Sequence, residues 1–207
     1  MFKHLHVIVL LVVMSFISVS LVMAQERPVD LHDGQTEYLE KIELDLKVEP
    51  GETASKRIHV PVKVTESDGT IYYDYEVVTF ILSNSLPDLT YRSRTAAMPT
   101  ASKTTVQCSG VLNAGSRAYT SFVLWSYNGS SVWHEENGHL NHSASSPWQT
   151  NGVYNHINYP WGPASSIATY NIGYFINSST GQQAAHRVIW ILENDGTCAA
   201  TGNISLY

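Results

Sequence analysis

The chain has 207 residues, with 12 Lys and Arg against 18 Asp and Glu, a formal charge of -6, 14% charged residues and 11% aromatics. That length suits one sandwich-sized domain, or one domain with a smaller companion. Without a basic surplus to neutralise phosphates, nucleic acid is excluded as a partner. Low charge combined with many aromatics excludes a disordered chain.

Residues 1–24 read as a secretory signal peptide. Lys3, His4 and His6 form a short polar head, residues 7–23 are almost continuously apolar, and Val22 and Ala24 occupy the small-residue positions before a cleavage point. The expected location is secreted, extracellular or periplasmic, with no membrane contact unless the leader stays uncleaved. Removing Lys3 with the leader leaves 11 basic against 18 acidic side chains. Export favours oxidation of Cys108 and Cys198, the only two cysteines. A link closing so long a loop is worth about 4–5 kcal/mol in the chain-entropy model.

Charge is unevenly distributed. Residues 25–103 hold fourteen acidic and nine basic side chains; residues 104–207 hold Glu135, Glu136, Glu193, Asp195, Arg117 and Arg187 alone. Trp125, Trp133, Trp148, Trp161 and Trp190 all lie in the second part. The expected organisation is therefore an acidic strand-rich region at 25–85, a linker at 86–105 and an aromatic-rich domain at 106–207. In the first region Ile42, Leu44, Leu46 and Val48 alternate with Glu43, Asp45 and Lys47, the period-2 pattern of a half-buried strand. Ile58, Val60, Val62 and Val64 alternate next, and Pro61 among them suggests an edge strand. Asp68-Gly69 predicts a hairpin turn into a long strand at 71–82. Residues 35–42 suit a short helix or part of a disordered arm. Arg92 and Arg94 form a basic pair in the linker that could be a processing site.

The second region continues in strands. Segments 106–112, 118–127 and 131–134 come first, with a turn at Asn128-Gly129. A polar stretch at 135–165, rich in Gly, Pro, Asn, Ser and His, reads as a long loop. Strands at 167–177, 184–193 and 203–207 follow, with turns at 178–182 and Asn194-Asp195-Gly196. Short strands with Gly and Asn turns and no helical period predict an all-β fold. It is a disulfide-stapled antiparallel β-sandwich, Ig-like or jelly-roll-like, preceded by the smaller strand-rich region. Trp125 follows Cys108 by seventeen residues, yet Gly196 stands two residues before Cys198 where the immunoglobulin pattern has Tyr.

Three constellations bear on function. His134, His139 and His142 beside Glu135 and Glu136 are a candidate loop site for Zn, since imidazole and carboxylate suit first-row metals. The spacing does not fit a zinc-protease helix, because Gly138 occupies the fourth position after His134. Trp148, Tyr154, Tyr159 and Trp161, with His156 and several Asn, form a candidate ligand surface. Aromatic faces stack on sugar rings while amides bond to hydroxyls, and the same residues could anchor an extracellular protein. Trp125 and Trp190 lie within strand patterns and are expected in the core. Asn128, Asn141, Asn177 and Asn203 begin sequons. No nucleophile elbow, phosphate-cradling loop or suitably spaced acid pair occurs. The expected function is a secreted, non-catalytic binding or adhesion module that recognises carbohydrate or a protein partner through 135–165. The alternatives are a secreted metal-dependent enzyme using the His134 to His142 cluster and an extracellular structural or inhibitory protein.

Overall fold

The computed structural model describes residues 34–85, 103–157 and 163–207. The expected leader, the Arg92 and Arg94 pair, Tyr159 and Trp161 lie outside the described residues. Among the described residues are eleven strands: β1 (Gln35–Tyr38), β2 (Ile42–Val48), β3 (Thr53–Thr65), β4 (Ile71–Ser85), β5 (Thr104–Ala114), β6 (Arg117–Tyr127), β7 (Val132–Ala144), β8 (Trp148–Ile157), β9 (Ser166–Asn177), β10 (Gln183–Glu193) and β11 (Cys198–Leu206). They form a six-stranded sheet in the order β1-β3-β4-β5-β6-β7 and a five-stranded sheet in the order β2-β11-β10-β9-β8. Every pairing is antiparallel. The fold is thus an all-β, disulfide-linked sandwich. Among the described residues, no helix is long and apolar enough to cross a membrane.

Turn chemistry accounts for the hairpins. Gly51, Gly69, Gly129 and Gly196 adopt positive φ at the strand connections, a region that side chains with a Cβ rarely occupy. The Asn128 carboxamide oxygen accepts from the backbone N–H of Ser130 and Ser131, closing the β6–β7 turn.

Several segments differ from the sequence expectation. Residues 35–38 are strand, not helix, because Gln35, Thr36, Glu37 and Tyr38 pair with Thr65, Val64, Lys63 and Val62. Pro61 is not on an edge strand, since β3 lies between β1 and β4. Its carbonyl accepts from Leu39 N–H at 3.1 Å, so its nitrogen faces the side where β1 has just ended. Thr104 and Thr105 belong to β5 rather than to a linker. The stretch 135–165 is largely β7 and β8, joined by a turn with a cis Ser146–Pro147 bond. Its polar composition hides these strands because β7 is an edge strand whose inward side carries Asn137 and whose other face carries Gly138 against the Phe122 ring. Extra residues at two points of β7, near Leu140 and Glu135, also interrupt its register with β6.

The two compositional halves share both sheets. β4 of the acidic part pairs with β5, and β2 pairs with β11. Between the sheets lie Ile42, Leu44, Phe80, Leu112, Tyr119, Trp125, Phe175, Trp190 and Leu192, all buried. Each such large apolar side chain stabilises the fold by about 1.5–3 kcal/mol. Cys108 on β5 and Cys198 on β11 form a disulfide across the sheets, with Cα atoms 6.6 Å apart. Packing is close enough that a Cβ on Gly173 would stand 2.4 Å from the Tyr119 ring.

Candidate functional site: the outer face of the five-stranded sheet

Strand β9 keeps Ile167 and Phe175 in the core but is polar on its inward side between them. Its inward residues include Thr169, Asn171 and Gly173, whereas Tyr170, Ile172, Tyr174 and Ile176 point outward. Alternation normally places the apolar set toward the core. The polar residues face inward because they have specific partners there. The Asn171 amide donates to the Gly138 carbonyl at 2.5 Å and to the Phe122 carbonyl at 3.3 Å. Gly173 leaves the space that the Tyr119 ring fills. These contacts commit the aromatic side of β9 to the outside.

Neighbouring strands extend this face. His156 pairs with Tyr170, and Tyr154 pairs with Ile172. On the other side Arg187 pairs with Ile172, and Ile189 pairs with Tyr170. His156 and Tyr170 stack with centroids 4.7 Å apart. Tyr154 lies 6.2 Å from His156 and 6.1 Å from Tyr170, and its hydroxyl is 3.3 Å from His156 Nδ1. The Arg187 guanidinium stands over the Tyr170 ring at 5.4 Å. Ile172, although it points outward, is only 3% exposed. Tyr154 is 46% exposed and Ile191 42%. The result is a cluster of rings around a covered isoleucine, with a cation at its border.

The cluster rests on a polar bridge between the sheets. The Asn137 amide, from β7, donates to Asn171 Oδ1 at 2.7 Å, to Thr169 Oγ1 at 3.2 Å and to the His156 carbonyl at 3.4 Å. Thr169 Oγ1 donates to the same His156 carbonyl. The backbone beneath His156 is therefore held from below. A one-residue irregularity between Thr150 and Val153, where Gly152 takes positive φ, shifts β8 so that Tyr154 and His156 share the outer face.

The expected ligand residues divide. Tyr154 and His156 come together on this face. Trp148 does not join them: it is 5% exposed, belongs to the core and lies 4.3 Å beneath the Arg117 guanidinium. The three histidines of the expected metal site all lie on β7 but do not converge. His134 opposes Trp125 and is buried, His139 is exposed, and His142 opposes Tyr119 and packs 4.7 Å from Phe175. Eight positions along an extended strand, roughly 25 Å, separate His134 from His142. Burial holds both imidazoles below their ordinary pKa. Among the described residues, no three His, Cys, Asp or Glu side chains are arranged to hold a metal ion. Trp125 and Trp190 are fully buried.

Tyr170 and Arg187 are site residues that sequence reasoning missed. The alternation of Tyr170, Ile172, Tyr174 and Ile176 carried the signal, but it was legible only as strand. A second buried group is structural in character. Glu76 on β4 and Arg117 on β6 form an ion pair at 2.5 Å, both side chains 2% exposed, and Tyr38 hydrogen-bonds to both. Burial raises the Tyr38 pKa well above its ordinary value. His186 is fully buried nearby. Burial first, and then the Arg117 charge, hold it neutral, with Nδ1 at 3.2 Å from the Leu112 carbonyl. On the opposite outer face, Ile71, Tyr73 and Tyr75 form an exposed stripe along β4. Among the sequon residues, Asn177 is 2% exposed and its carboxamide oxygen accepts from Ser179 and Thr180 in the β9–β10 turn. No protein-family model, curated protein or solved structure matches this chain.

Proposed function

We propose that this protein is an exported, non-catalytic binding module that recognises carbohydrate through the outer face of the five-stranded sheet. The observation carrying this reading is the outward aromatic set of β8 and β9: Tyr154, His156 and Tyr170 in mutual contact on a rigid sheet. A pyranose presents an apolar face that suits such rings and hydroxyls that suit Tyr, His and Asn. Strands hold these groups in place, so little ordering entropy is lost on binding. The leader-like residues 1–24 and the single disulfide are both compatible with export. The imidazoles of β7 are dispersed, which gives the metal-enzyme alternative no support.

The test is a glycan array probed with the wild-type protein and with Tyr154→Ala, Tyr170→Ala and, as a control on the opposite face, Tyr73→Ala. Stacking losses of about 1–2 kcal/mol per ring correspond to roughly 5–30-fold weaker binding. The reading expects specific glycan signals lost in the first two variants and kept in the third. Absence of every glycan signal, or loss only in Tyr73→Ala, would remove it.

A further inference from the structure

We infer that the preferred ligand is a carboxylate-bearing polysaccharide, a polyuronate, with Arg187 as the residue that reads its acid group. This deepens the carbohydrate reading and rests on it. Strands β8 and β9 contain no Asp, Glu, Lys or Arg at all, and β10 contributes only Arg187 and Glu193. Arg187 is exposed and takes part in none of the salt bridges among the described residues, which join Lys41 to Glu43, Lys63 to Glu37 and Arg117 to Glu76.

The acids that might have paired with it are occupied. Across the sheet, Arg187 opposes Asn203, and Asn203 opposes Glu43. Glu43 is held by Lys41 Nζ at 2.6 Å and receives the Asn203 amide at 3.4 Å. Asp45, the next acid on β2, accepts from Thr201 Oγ1 at 2.5 Å. Glu193 lies six positions along β10, about 20 Å from Arg187. The guanidinium is thus left with its charge uncompensated and its plane steadied over Tyr170 at 5.4 Å.

Position completes the case. Tyr154, Ile172 and Arg187 oppose one another in one cross-strand row. That places Arg187 about 10 Å from Tyr154 across two strand spacings. A sugar unit lying on Tyr154 and Tyr170 brings its ring substituents within reach of an arginine side chain. Guanidinium and carboxylate match as planar, two-point partners, which an ammonium does not reproduce. Most of the chain's acidic side chains lie in its first part, and Arg187 is the one charged side chain that strands β8 to β10 place in the row of Tyr154 and Ile172.

Polygalacturonate, its fully methyl-esterified form and a sulfated galactan separate the possibilities when titrated against the full chain by calorimetry. The measurements are made with wild type, Arg187→Gln, Arg187→Lys and Lys47→Gln. Wild type is expected to bind polygalacturonate at least tenfold more tightly than the ester. Arg187→Gln should remove that preference while retaining the weaker binding of the ester. Arg187→Lys should restore it only in part, and Lys47→Gln should leave it intact. Equal binding of acid and ester, or no effect of Arg187→Gln, would overturn the inference and leave the carbohydrate reading standing. An Arg187-dependent preference for the sulfated polymer would overturn the carboxylate assignment. An equal loss in Lys47→Gln would reveal diffuse charge attraction and overturn the role of Arg187. No binding of any polysaccharide, esterified or acidic, would remove the carbohydrate reading and this inference together.

Discussion

The Glu76–Arg117 pair offers the sharpest test of how the core is held. Its partners stand 2.5 Å apart on inward positions of β4 and β6, each only 2% exposed. Replacing Glu76 by Gln keeps the shape and removes the charge, leaving the guanidinium buried without compensation. Removing one member of such a pair costs about 3–5 kcal/mol. In a domain of this size that lowers Tm by roughly 10 °C or more. Arg117→Met should cost a similar amount by stranding the carboxylate. The double variant Glu76→Gln with Arg117→Met should recover part of the loss, because no buried charge is then left without a partner. Urea unfolding at neutral pH with the disulfide intact gives all four free energies, and Trp148, 4.3 Å from the guanidinium, supplies a local fluorescence signal. A loss below about 1 kcal/mol for either single variant, with no coupling in the cycle, would refute the reasoning.

Three further predictions concern the frame. Replacing Cys108 and Cys198 by Ser opens a 90-residue loop and should lower stability by up to about 4–5 kcal/mol; an unchanged urea midpoint would contradict this. Gly173→Ala pushes a Cβ to 2.4 Å from the fully buried Tyr119 ring, so overpacking by about 1–3 kcal/mol is expected in the same assay. The third is a pH dependence. The folded pKa values of His134, His142 and His186 are all depressed by burial, so below about pH 6.5 the unfolded chain binds more protons than the folded one. Their stabilising contribution is full above that pH and declines as pH falls toward the folded values. His186 alone accounts for a slope of up to about 1.4 kcal/mol per pH unit. A urea midpoint that stays flat from pH 7.5 to 5 would contradict it.

Much of the fold was legible where alternation was clean. Ile42 to Val48 and Ile71 to Leu82 read directly as strands, the first because its apolar residues alternate with charged ones and the second because it is rich in β-branched and aromatic residues. The disulfide followed from having only two cysteines in a chain expected to be exported. Strands β7 and β8 were hidden for a physical reason: on β7 the inward Asn137 is accounted for by Asn171, far along the chain, and Gly138 by the Phe122 ring beside it on the neighbouring strand. The helix suggested near residue 35 failed because four residues follow strand β3 instead, and local sequence cannot foresee that pairing. Of the site, Tyr154 and His156 were visible as polar aromatics. Trp148 looked the same in sequence, but the irregularity at Gly152 separates it from them and leaves it facing the core. Tyr170 and Arg187 required the cross-strand register, which no single segment contains.

The central claim is the location of binding, and a resonance-by-resonance titration addresses it most directly. Isotope-labelled protein would be titrated with polygalacturonate oligomers while backbone amide shifts are followed. The account predicts perturbations concentrated at Tyr154, His156, Tyr170, Ile172 and Arg187, with Ile71, Tyr73 and Tyr75 on the opposite face unmoved. Saturable shifts centred on the tyrosine stripe of β4, or no shifts anywhere at millimolar oligomer, would contradict it.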